Sequence, residues 1–245
     1  MWWLLIAAGL WAGVQNALAG GGSFVTLPVL ILSGIDARAA NITSTIALFP
    51  GQVTTGLAGR NFVAGVERLS FRALLVISLA GGVVGALLLL ATPASFFARL
   101  LPWLVLAATG IFAWGSFLRR EPQAPKPLSP ATAGIAQFLI AIYGGYFGGG
   151  IGFLMLAALT IAGLPVREAS ATKNVLAAVM NASAVAIFIF SRDVHWLSAA
   201  VLGAGAVAGG LVGTWLLRRV NETALRIGVV VLGIALTIGL FLRQP

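Results

Sequence analysis

The sequence predicts an all-α, polytopic transmembrane helical bundle made of two inverted-topology repeats of five segments. Three observations carry this. The chain is 60% hydrophobic and 9% charged, with a mean hydropathy of +1.03, whereas soluble domains carry about 25% charged residues. Its apolar residues come in runs of helical length, without the alternation of an outer-membrane barrel. A triple-glycine break interrupts the apolar sequence twice, as Ala19-Gly20-Gly21-Gly22-Ser23-Phe24 and as Phe147-Gly148-Gly149-Gly150-Ile151-Gly152.

The first segment, 2–18, opens with Met1-Trp2-Trp3-Leu4-Leu5 and has no Lys or Arg before it, which argues for a retained helix over a cleaved signal peptide. Successive glycines then end it, because glycine holds a helix poorly. Segment 23–34 is shorter than the ~20 residues of a full span. It either crosses or folds back with 2–18 as a re-entrant hairpin. Segments 38–58, 70–91 and 97–118 complete a first repeat over 1–118. Residues 119–130 contain Pro122, Pro125, Pro127 and Pro130, which no helix continues through, and form an exposed linker. The second repeat, 131–245, contains segments 131–147, 150–162, 166–190, 196–217 and 222–242.

The halves match in order. Beyond the glycine breaks, Ala37-Arg38-Ala39-Ala40-Asn41-Ile42-Thr43-Ser44 matches Val166-Arg167-Glu168-Ala169-Ser170-Ala171-Thr172-Lys173. Gly81-Gly82-Val83-Val84-Gly85 matches Gly209-Gly210-Leu211-Val212-Gly213, and Arg99 matches Arg226. Five segments per repeat is an odd number, so the second copy is inverted. Arg60, Arg68 and Arg72, then Arg119, Arg120 and Lys126, then Arg218 and Arg219 fall in alternate connections. The positive-inside rule places these in the cytoplasm and both termini outside, in an inner (plasma) membrane.

Composition also excludes functions. There is no cysteine for a disulfide, thiolate site or nucleophile. No phosphate loop, Gly-x-Ser-x-Gly elbow or metal cluster is present, so the expectation is neither an enzyme nor an ATP-driven pump, with no metal and no cofactor. The single His195, beside Asp193, reads as an interfacial polar residue, with a metal ligand or a proton carrier as the alternatives. The net charge of +9 lies in short loops as a topology signal and not as a nucleic-acid surface. Trp2, Trp3, Trp103 and Trp196 fit interfacial belts.

The acids Asp36, Glu67, Glu121, Glu168, Asp193 and Glu222 all sit at or near connections. No carboxylate lies mid-helix, where cation transporters usually keep one. The intramembrane charge is Lys173, about two turns into its helix. It either faces a cavity and attracts an anion, or snorkels to the interface near Arg167. Each glycine break frees the N-terminus of a half-helix, which carries about half a positive charge and suits an oxyanion. Paired broken helices are the best sequence pointer to a transporter's substrate site. The candidate pocket is therefore Gly20, Gly21, Gly22, Ser23, Asn41, Thr43, Ser44 and Thr45 with Gly148, Gly149, Gly150, Thr172, Lys173, Asn174 and Asn181. Gln15, Asn16, Gln52, Thr54, Tyr143 and Tyr146 are weaker candidates. The isolated glycines Gly81, Gly85, Gly209 and Gly213 read as helix-packing positions, and alanine is expected to be tolerated at Gly85 and Gly213.

The Gly-Gly-Gly turn, Leu27-Pro28-Val29-Leu30, Ala40-Asn41-Ile42-Thr43-Ser44-Thr45, Ala171-Thr172-Lys173-Asn174-Val175-Leu176 and Asn181-Ala182-Ser183 resemble the TauE/SafE family over essentially the whole chain. The resemblance implies export of sulfite or small organosulfonates coupled to an ion gradient. Ser44 standing where the second copy has Lys173 implies an asymmetric site. The expected partners are a small anionic substrate, the lipid bilayer and possible further copies of the chain. A passive anion channel and a non-transporting assembly subunit are the alternatives.

Overall fold

The computed structural model describes residues 2–18, 21–66, 69–118, 129–216 and 222–242. Gly20, residues 119–128 of the linker, Glu67 and Arg68, and Arg218 and Arg219 lie outside the described residues. The described chain forms ten α-helices: α1 (Trp2–Leu18), α2 (Ser23–Leu32), α3 (Ala37–Gly59), α4 (Phe71–Ala91), α5 (Ala94–Ala113), α6 (Pro130–Tyr146), α7 (Ile151–Ile161), α8 (Val166–Phe188), α9 (Trp196–Leu216) and α10 (Glu222–Leu242). Each corresponds to a segment read from the sequence, and the ends have local causes. Asp36 caps α3 by accepting from the Arg38 and Ala39 N–H groups. Ser70 caps α4 through Ala73 N–H, and Ser129 caps α6 through Thr132 N–H, with Pro130 opening that helix. α5 starts three residues earlier than expected, because the Pro93 carbonyl accepts from Phe96 and Phe97 N–H. A π-helical turn, Trp114–Leu118, follows it.

Burial is arranged for lipid. Trp3, Val76, Phe190 and Leu211 are exposed at 68–84%. Gln15, Asn41, Thr43, Ser44, Gln137, Thr172 and Asn181 are buried. An apolar exterior, with these polar groups turned inward among a largely apolar core, suits a hydrocarbon solvent, in which polar groups must find partners within the protein. Among the described residues, α4, α5, most of α8 and most of α9 are long and apolar enough to cross a membrane.

Contacts fix the helix directions. Thr43 meets His195, Gln52 meets Asn181 and Thr172 meets Ala64, so α3 and α8 run antiparallel. Arg38, Thr92 and Asp193 gather at one end of the bundle; Phe62, Ala64 and Arg167 gather at the other. Alongside α9, α1 runs parallel, Ile6 lying near Gly205, Leu10 near Gly209 and Val14 near Gly213. Alongside α4, α6 runs parallel, Ser78 bonding Gln137 and Gly85 lying against Ile142 and Tyr146. α1 thus starts at the Arg38 end and α6 at the Phe62 end. α2 has only 10 residues, about 15 Å of helix, and returns through residues 33–36 to the Arg38 end where α3 begins. The α1–α2 and α6–α7 pairs are therefore re-entrant. Of the principal helix pairs, all but α3–α5 recur when the first five helices are exchanged for the last five.

The isolated glycines line the closest crossings, and here one expectation is corrected. A methyl group at Gly85 would collide with the backbone of Ile142, Gly145 and Tyr146. At Gly213 it would lie 2.8 Å from Ala17 Cβ and 2.9 Å from the Val14 backbone. These glycines serve packing, as expected, but the helices are too close for alanine.

Candidate functional site

A small cavity of about 60 Å³ opens between the two glycine breaks. Asn16 of α1, Gly21 and Ser23 at the first break, and Gln52 and Thr55 of α3 form one side. Gly148, Ile151 and Gly152 at the second break, and Lys173, Asn174 and Ala177 of α8 form the other. The breaks reach the cavity because their backbone turns where other residues resist turning. Gly21, Gly148 and Gly150 have φ of +79°, +76° and +73°, in the left-handed region that glycine enters without strain. Gly149 does not share that conformation; a side chain there would instead meet the Phe147 ring.

Lys173 faces the cavity, the first of the two readings its position allowed. A methyl group built on Gly152 would lie 3.6 Å from Lys173 Nζ, so the ammonium stands against the first turn of α7. No acceptor for the N–H groups of Ile151 and Gly152 is found among the described residues. Among the described residues no carboxylate lines the cavity, and the ion pair Arg38–Asp193 is elsewhere. A lysine ammonium and a helix N-terminus thus converge on one space, with no counter-charge among the described residues. That arrangement attracts a small anion and repels a cation.

Of the residues singled out from the sequence, Gly21, Ser23, Gly148, Lys173 and Asn174 line this cavity. The others stand around it. Gly22 caps α2, its N–H donating to Asn16 Oδ1 at 2.7 Å, and Gly150 caps α7. Ser44 Oγ and Thr26 Oγ1 bond each other at 2.6 Å. Asn41 Nδ2 donates to the Tyr146 carbonyl at 3.1 Å, and Thr45 Oγ1 donates to the Asn41 carbonyl at 2.9 Å. Thr43 Oγ1 accepts from His195 N–H at 3.2 Å, and Thr172 Oγ1 accepts from Ala64 N–H at 2.9 Å. Asn181 Nδ2 donates to Gln52 Oε1. These buried polar groups are spent on holding helices to loops and to each other.

Thr55, Ile151, Gly152 and Ala177 were missed, and Gln52 and Asn16 were undervalued. A helical-spacing argument finds two of them: Gln52 and Thr55 are three residues apart on one face of α3. The repeat alignment, continued without a gap from Arg38 and Arg167, brings Gln52 opposite Asn181.

The family model described as sulfite exporter TauE/SafE matches residues 5–240. The "Probable membrane transporter protein ORF9" of Sinorhizobium sp is 30% identical over 96% of this chain and 90% of its own length. A "Probable membrane transporter protein" of Haemophilus influenzae is 27% identical over 96% of this chain and 92% of its own. The "Probable membrane transporter protein YfcA" of Escherichia coli K12 is 26% identical over 93% and 85%. No solved structure matches the chain.

Proposed function

Since this chain belongs to the sulfite exporter TauE/SafE family of membrane transporters, we propose that it is a secondary transporter exporting a small oxyanion, sulfite or an organosulfonate, coupled to an ion gradient. One observation carries the substrate charge: Lys173 stands against the N-terminus of α7 in a cavity that no carboxylate lines among the described residues. The transported species neutralises this site while bound. A binding screen of purified protein tests it. Sulfite or a sulfonate should raise the melting temperature, while potassium and neutral osmolytes should not; stabilisation by cations alone would contradict the reading.

Alternating access is supported by two contacts that are equivalent in the halves. At one end Arg38 pairs with Asp193 at 2.8 Å and donates to the Thr92 carbonyl at 2.8 Å, while Thr43 takes His195 N–H. At the other end Arg167 lies 4.2 Å from the Phe62 ring centroid, while Thr172 takes Ala64 N–H. Each helix, α3 and α8, thereby fastens the connection that follows the other. We read residues 1–118 and 131–245 as inverted repeats joined by 119–130, a reading that the opposed helix directions support. The basic connections put the Arg38 end outside and the Phe62 end in the cytoplasm. Opening one latch while the other holds would expose the cavity to one side at a time.

A further inference from the structure

Gly21, Gly148 and Gly152 line the cavity, and the backbone accounts for only the first two. Gly21 and Gly148 stand at positive φ, whereas Gly152 is the second residue of α7 and has ordinary helical backbone. Packing does not require glycine there either. Beyond its own helix, a Cβ built on Gly152 would meet only Lys173 within 4 Å among the described residues, Nζ at 3.6 Å and Cδ at 3.7 Å. Gly81, Gly82, Gly85 and Gly145 are different, because a Cβ at each would run into the backbone of a crossing helix. Glycine is less favourable in a helix than alanine. Gly152 therefore weakens α7, and no contact explains it.

The space a side chain would fill is the cavity itself. Cα–Cβ bonds in a helix tilt toward its N-terminus. A methyl group on Gly152 would lean over the first turn of α7, where the Ile151 and Gly152 N–H groups have no acceptor among the described residues. Its neighbour on the other side would be the Lys173 ammonium. In a cavity of about 60 Å³, a methyl group there obstructs any ligand that touches both the N–H groups and Nζ.

The first break is built otherwise. Aligning Gly20-Gly21-Gly22 with Gly148-Gly149-Gly150 sets Phe24 against Gly152. Phe24 is 1% exposed and packs in the core. Its N–H donates to the Gly21 carbonyl at 2.9 Å, and the Gly22 N–H donates to Asn16 Oδ1. The first turn of α2 thus keeps these N–H groups engaged and carries a phenyl group, where α7 carries no side chain.

We propose that Gly152 is a specificity-determining residue of the transport site: the absence of a side chain there forms the seat in which a small oxyanion touches the α7 N–H groups and Lys173 together. This rests on the reading of the cavity as an anion site.

The test compares Gly152→Ala with Gly210→Ala in the purified full chain, with sulfite as the probe. Each replaces a helical glycine where a methyl group finds room. Both variants should keep the melting temperature of the ligand-free protein or raise it slightly. Gly152→Ala should weaken sulfite binding about tenfold or more, the scale of overfilling a packed site by one methyl group. Gly210→Ala should leave the affinity unchanged. A merely structural glycine would lose stability and affinity together, whereas here affinity falls and stability does not. Wild-type affinity in Gly152→Ala, or a melting temperature well below that of the wild type, would overturn the role of Gly152 while leaving the anion site standing. A wild-type protein that binds no sulfite would overturn the anion site itself, and this proposal with it.

Discussion

Asn181 Nδ2 donates to Gln52 Oε1 at the crossing of α3 and α8, and the two residues stand 129 positions apart in the chain. Arg38 and Arg167 are separated by the same spacing, as are Thr43 and Thr172. The bond therefore joins α3 to α8 beside the cavity that Gln52 lines. Asn181 is 3% exposed, and its Oδ1 has no partner among the described residues. Asn181→Ala should cost about 1–3 kcal/mol, the penalty for leaving Gln52 without its donor. The exchanged pair, Gln52→Asn with Asn181→Gln, should recover most of it. Thermal unfolding in detergent checks this; an additive loss in the double variant would show that the two groups do not act as a pair.

Lys173→Ala should abolish stabilisation by sulfite, and Arg167→Ala should leave most of it. Lys173 lines the cavity, whereas Arg167 lies over the Phe62 ring at the bundle end. A charge in a weakly screened site acts more strongly on a ligand than one near water. Ligand-dependent melting shifts of the two variants decide between them.

The glycine contacts reverse the usual ranking of conservative changes. Gly85→Ala and Gly213→Ala force helix backbones apart and should each cost about 1–3 kcal/mol, as overpacking does. Gly210→Ala, where an added methyl meets open space, should be neutral or slightly stabilising. Unfolding midpoints of the three variants check the ranking.

The latch at the Arg38 end gives an accessibility prediction. The chain has no cysteine, so a cysteine replacing Ser23 reports on the cavity alone. The Arg38 and Asp193 side chains are 22% and 26% exposed, which limits their pair to roughly 1 kcal/mol. Asp193→Asn should therefore raise labelling of that cysteine from outside about fivefold, through a shift in the population open to that side. Labelling from intact cells with a membrane-impermeant thiol reagent measures it.

The ten helices were legible because apolar runs, caps and glycines act locally. α2 and α7 are short because glycine turns precede them and Gly34 and Gly163, both at positive φ, follow them. The cavity was legible at Lys173 and at the glycine breaks, where a lone cation and a broken helix stand out in an apolar sequence. Thr43, Thr172 and Asn41 were expected in the pocket but bond neighbouring backbone, because a polar side chain in a membrane helix looks the same in sequence whether it meets a substrate or a neighbouring backbone. The cost of alanine at Gly85 was also hidden, since it depends on the distance to α6, which no local pattern encodes.

Counterflow of radiolabelled sulfite in proteoliposomes tests the central claim most directly. Vesicles loaded with unlabelled sulfite should accumulate external label transiently above equilibrium, because a carrier that alternates access exchanges substrate across the membrane. Lys173→Ala should remove that overshoot while the protein remains inserted and folded. Label that only equilibrates, at a rate indifferent to internal sulfite and to Lys173→Ala, would contradict the account.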